Sequence, residues 1–123
     1  VRSQAVGVVV DDTVIAAFSE GKPRSLYVES LVAWLAREGR PLVVPASAVA
    51  AAGLPAVLAR WGTVTDLTEA VAVEVQRIGN SVGVLDLVAA HAVYEAIHLT
   101  WPIVTGTPQR YEPFGPGLNL ETF

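Results

Sequence analysis

The sequence predicts an α/β protein: a three-layer sandwich around a five-stranded, mostly parallel sheet. Three observations carry that prediction. Short runs rich in β-branched residues recur along the chain, at Val6–Asp11, Leu42–Val44, Thr63–Asp66 and Trp101–Thr105, and Leu118–Glu121 is read as a short fifth strand. Segments with helical spacing of apolar residues separate most of them. The intervals between the first four are long enough for helical crossovers, which parallel strands require.

The first strand anchors the reading. Val-Gly-Val-Val-Val is the kind of run that suits a strand buried on both faces, and it stops at Asp11, Asp12 and Thr13. In open α/β sheets ligands gather beyond the carboxyl ends of the strands, so these polar residues lie where chemistry is expected. Asp12 or Thr13 is positioned to cap a short helix running to Phe18, closed by Glu20-Gly21-Lys22-Pro23.

Ser25 opens a second helix, to about Glu38, with Leu31, Trp34 and Leu35 at helical spacing and Gly39 as its terminator. Strand two is closed by Pro45. Alanine-rich Ala46–Ala52 and then Ala56–Trp61 read as short helices on either side of Gly53-Leu54-Pro55. After strand three, Asp66 with Glu69 resembles a capping box at the start of a helix to Ile78. A late helix is expected from Gly83 to Ile97. Strand four ends in Gly106-Thr107-Pro108, and a looser Pro- and Gly-rich tail leads to strand five.

Composition bounds the function. With 123 residues, 52% of them hydrophobic and 16% charged, the chain has enough apolar residues for one domain with a real core. The formal net charge is −4 and the 8 basic residues are scattered, so no basic stripe marks a nucleic-acid surface. The absence of cysteine excludes disulfides and thiolate metal sites and fits a cytoplasmic setting. The stretch from Pro41 to Ala59 lacks charge, but three prolines and a glycine interrupt it, which favours a strand and short helices over a membrane span. Neither a glycine-rich phosphate loop nor a nucleophile elbow is present.

The order of motifs is informative. An apolar strand ends in Asp12-Thr13. A Val-Val-Pro strand leads into a small-residue helix. Leu-Asp-Leu-Val-Ala-Ala-His-Ala opens the late helix, and Ile-Val-Thr-Gly-Thr-Pro follows strand four. From Val6 to Leu120 this pattern resembles the PIN domain, the fold of VapC-type toxin ribonucleases. The resemblance implies strand order 3-2-1-4-5. It also implies a cleft beside strands one and four, where acidic residues hold Mg²⁺ or Mn²⁺ as cofactor. Hard divalent cations favour oxygen ligands, and such a metal generates a nucleophile from water.

Position by position, the resemblance assigns Asp12 as the first acid and Asp86 as the third, both catalytic and metal-binding. The glutamate expected after Pro45 would fall at Ala51, and the aspartate expected after Gly106 is Thr107. Thr13 and Thr107 are neutral neighbours of the site, and Thr107 at most hydrogen-bonds a metal-bound water. With two of four acids present, nuclease activity is expected to be weak or lost. The resemblance further implies RNA as substrate, an antitoxin-like protein as partner and a homo-oligomeric state. A non-catalytic interaction or dimerisation module is the alternative.

Several residues have plainer readings. Asp12 and Asp86 each suit a helix cap. Asp11 alternates to the opposite face from Asp12 and is expected to be solvated. His91 and Glu95, four apart, are expected to be a surface pair, and His98 to sit at a helix C-terminus. Trp34, Trp61 and Trp101 are expected to be core or interface anchors.

Overall fold

A computed structural model describes residues 6–123. Five strands, β1 (Val8–Val10), β2 (Leu42–Pro45), β3 (Thr63–Thr65), β4 (Ile103–Thr105) and β5 (Leu120–Thr122), form an all-parallel sheet in the order 3-2-1-4-5. Among the described residues six helices accompany them: α1 (Asp12–Ala17), α2 (Arg24–Arg37), α3 (Ala46–Ala52), α4 (Ala56–Trp61), α5 (Glu69–Ser81) and α6 (Leu87–Leu99). A 3-10 helix, Pro108–Phe114, occupies much of the expected loose tail. The predicted α/β sandwich and strand order are thus what the chain adopts.

The valine run explains the layering. Side chains alternate along a strand, so Val8 and Val10 face one way and Val9 the other, and all three are fully buried. Val8, Val10 and Val44 meet Val14, Ile15, Val28, Val32, Leu35 and Leu58, on α1, α2 and α4. Val9, Val43 and Ile103 meet Ala89, Ala92, Val93 and Ala96 of α6 together with Tyr111. The small side chains of α6 allow close approach, and α5 packs against its outer flank. Burying each such valine contributes roughly 1.5–3 kcal/mol relative to exposure.

Gly7, immediately before β1, is required by space. A Cβ there would lie 2.6 Å from the Pro41 carbonyl oxygen and 2.7 Å from the Trp101 ring. Gly39, at φ +66°, ends α2 as the sequence implies.

Some element ends differ from expectation. Thr68, not Asp66, caps α5 by accepting from the Val71 N–H, and Ser25 lies inside α2 behind Pro23. Trp34 and Trp61 are exposed, each under an arginine, Arg40 and Arg60, at 4.9 and 5.1 Å from the ring centroids. Trp101 packs at the edge of the core. The uncharged stretch 41–59 becomes β2, α3 and the start of α4, and no helix among the described residues is long and apolar enough to cross a membrane.

Candidate functional site

β1 and β4 are neighbours in the middle of the sheet, and the chain leaves both at the same rim. α1 begins directly after β1, the 3-10 helix follows β4, and α6 begins nearby. Each of these three segments delivers a polar residue to one place.

Asp11 is the N-cap of α1, with extended backbone. Its Oδ1 accepts from the Thr13 backbone N–H at 3.0 Å and from the Thr13 hydroxyl at 2.5 Å. Its Oδ2 accepts from the Tyr111 hydroxyl at 2.7 Å. Its exposure is 0%, so the expectation of a solvated Asp11 is wrong. The strand ends at Val10, and the two-residue alternation that put Asp11 on the far face ends with it. The capping geometry instead folds the carboxylate back over the start of the helix.

Asp12 occupies the first turn of α1 and stays half-exposed. Asp86 caps α6, accepting from the Ala89 N–H at 3.0 Å. The plain capping role therefore holds for Asp86, while Asp11 takes it from Asp12 at α1.

Arg110, from the 3-10 helix, lies between these acids. Its Nε donates to Asp86 Oδ2 and its Nη2 to Asp86 Oδ1, both at 3.0 Å, a parallel bidentate grip. Its Nη1 donates to Asp12 Oδ1 at 2.5 Å and to Asp11 Oδ2 at 3.4 Å. Burial alone would lower the Arg110 pKa, but its bonds to Asp12 and Asp86 outweigh that and raise it, so the guanidinium is a fixed positive charge. The Tyr111 phenol is pushed up by burial and then by the facing Asp11 carboxylate, so it stays a donor.

Thr13 and Thr107 part company. The Thr13 hydroxyl bonds Asp11 and accepts from the Gly106 N–H at 2.8 Å, tying α1 to the end of β4. Thr107 is exposed. Its N–H donates to Thr105 Oγ1 at 3.1 Å, and its hydroxyl joins none of the site's hydrogen bonds among the described residues.

Asp12 and Asp86 thus converge, on a guanidinium. Their fit to a divalent ion is poor as they stand. Both Asp86 oxygens, both Asp11 oxygens and Asp12 Oδ1 already accept from protein donors. Among the described residues no group of three or more His, Asp or Glu side chains is arranged to hold a metal. The Ala51 side chain, on α3, offers no oxygen.

Arg110, Tyr111 and Asp11 are the site residues that sequence reasoning missed. One signal was available for the arginine: after Arg77 it is the only Lys or Arg in the chain. A second polar cluster also departs from expectation. His91 is fully buried, not on the surface, and bridges Ser47 and Glu95. α6 turns this face toward α3 and the sheet, so the spacing of four joins two inward-facing residues. His98 does lie in the last turn of α6, its Nδ1 2.9 Å from the Tyr94 carbonyl oxygen.

A comparison with protein-family models finds no match, and neither does a comparison with curated proteins.

Proposed function

We propose that this chain is a PIN-like domain related to Mg²⁺- or Mn²⁺-dependent ribonucleases of the VapC type, in which metal-dependent cleavage of RNA is weak or lost. One observation carries this reading: Arg110 holds Asp11, Asp12 and Asp86 in the position where the resemblance expects a cation. Sheet order 3-2-1-4-5 and the placement of Asp12 and Asp86 at one rim are what the resemblance requires. The absent acids at Ala51 and Thr107 remove half the expected donors, and the fixed guanidinium offsets charge on those that remain. In an active form, Asp12 and Asp86 would hold the metal, which would supply an activated water. The same surface would then take RNA as substrate and an antitoxin-like protein as inhibitor. The test is cleavage of single-stranded RNA with Mg²⁺ and with Mn²⁺, by the parent chain and by Asp12→Asn. We expect at most slow metal-dependent cleavage by the parent and none by Asp12→Asn. Rapid, multiple-turnover cleavage by the parent that Asp12→Asn abolishes overturns this reading.

A second reading, a non-catalytic interaction or self-association module, is favoured by exposed apolar side chains around the starts of α5 and α6. Leu85 is 91% exposed, and Leu67, Val73 and Leu87 are exposed as well. Leu67, Val73 and Leu87 line a cleft of about 390 Å³. Contiguous apolar surface of this kind marks interfaces. Sedimentation of the parent and of Leu87→Glu tests it: a strict monomer that captures no partner counts against the module.

A further inference from the structure

The Ser47–His91–Glu95 array shares no residue with the acidic site and has no part in the reading above. Ser47 Oγ lies 2.8 Å from His91 Nδ1, and His91 Nε2 lies 3.2 Å from Glu95 Oε2. A carboxylate can only accept, so the tautomer that satisfies both contacts carries its proton on Nε2, toward Glu95. Nδ1 is then a lone-pair acceptor aimed at the serine hydroxyl. A nucleophile, a base and a carboxylate that orients the base follow in sequence, which is the logic of an activated serine.

Burial fits those roles. His91 is fully buried and Glu95 nearly so, while Ser47, in the first turn of α3, is only half-buried. Ser19 and Ser81, by contrast, donate to the backbone carbonyls of Ala16 and Ile78 and touch no base. Burial pushes the His91 pKa down, and the Glu95 contact raises it only in part, so the imidazole is neutral and able to accept a proton at pH 7. The segment bearing Ser47 has no charged residue from Pro41 to Ala59.

We propose that Ser47, His91 and Glu95 form a second site that takes acyl groups from small, uncharged carboxylic esters. The Ser47 oxygen bonds to the acyl carbon as its proton passes to His91 Nδ1. The ester C–O bond breaks, and the leaving alcohol takes that proton. Water then adds to the acyl-serine and gives a proton to Nδ1. The acyl–oxygen bond to Ser47 breaks, the carboxylic acid leaves, and the proton returns to Ser47. Glu95 faces the imidazolium at both stages and holds its ring in place.

The experiment treats the whole chain with a fluorophosphonate probe and, in parallel, with 4-nitrophenyl acetate, and locates adducts by peptide mass spectrometry. We expect one adduct, on Ser47, formed at least about tenfold faster than any on Ser19 or Ser81. Ser47→Ala abolishes it. Glu95→Gln, folded by circular dichroism, slows it about tenfold or more. His91→Ala disturbs the core, so these two variants carry the test. No adduct on Ser47, equal labelling of Ser47, Ser19 and Ser81, or an unchanged rate in Glu95→Gln overturns the proposal. RNA cleavage plays no part in these readouts, so this site and the acidic one stand or fall separately.

Discussion

Arg110 grips Asp86 with two parallel hydrogen bonds, Nε to Oδ2 and Nη2 to Oδ1, each 3.0 Å long. The same guanidinium reaches Asp12 and Asp11, so one side chain compensates three carboxyl groups. Arg110→Ala leaves them facing one another with no counter-charge. Because Asp12 and Asp86 are partly exposed, water screens some of the loss, and we expect destabilisation of about 2–3 kcal/mol. Urea unfolding of the variant and the parent measures it.

If Arg110 takes the place of a cation, a cation should in turn take the place of Arg110. Millimolar Mn²⁺ is expected to raise the melting temperature of Arg110→Ala and leave that of the parent unchanged, because a ligand stabilises only the state that binds it. Equal shifts in both proteins would mean the ion binds elsewhere.

Asp11 and Asp12 should differ sharply despite being adjacent. Asp11 is fully buried and accepts from Thr13 and Tyr111, whereas Asp12 is half-exposed. We expect Asp11→Asn to cost about 2–4 kcal/mol and Asp12→Asn under about 1 kcal/mol in urea unfolding.

Tyr111→Phe removes the hydroxyl that donates to Asp11 Oδ2 and keeps the buried ring. The expected cost is about 1–2 kcal/mol, since a buried carboxylate oxygen loses a donor. In the parent, ultraviolet titration should show one tyrosine that ionises only as alkali unfolds the chain, because burial and Asp11 both raise its pKa.

His91 makes stability depend on pH in a definite direction. Burial lowers its pKa below the ordinary value of 6.5, so the unfolded chain takes up a proton that the folded chain resists. Stability from this group is complete above that value and declines as pH falls below it toward the folded pKa. The groups around the ring are Ser47, Glu95 and Tyr94. A urea midpoint that drops between about pH 7.5 and about pH 5.5, and drops less in His91→Gln, is the expected result.

Much of the fold was legible because it rests on local pattern. Val8–Val10 reads as a buried strand, Gly39 as a helix end, and the crossover lengths as parallel pairing. The placement of Asp12 and Asp86 at one rim followed from where β1 ends and α6 begins. Asp11 was misread because strand alternation was extended one residue past the strand. Arg110 was not legible at all: its partners lie 24, 98 and 99 positions away, and the segment carrying it looked unstructured from its prolines and glycines. The inward turn of His91 likewise depends on which face of α6 meets the sheet. Four-residue spacing brings His91 and Glu95 to one side of the helix without saying whether that side meets solvent.

Asp11 and Asp12 are synthesised well before the arginine that joins them to Asp86. Asp11 and Asp12 leave the ribosome first, Asp86 much later, and Arg110 only after β4. Until then the nascent chain can build the valine strand and the helices that cover it, with Asp11 held by Thr13 and Asp86 by the Ala89 N–H, and with water and salt as the remaining counterparts of the carboxylates at its rim. The closing step belongs to the C-terminal segment, and truncation before Arg110 would yield a partly assembled sheet whose collapse is sensitive to ionic strength.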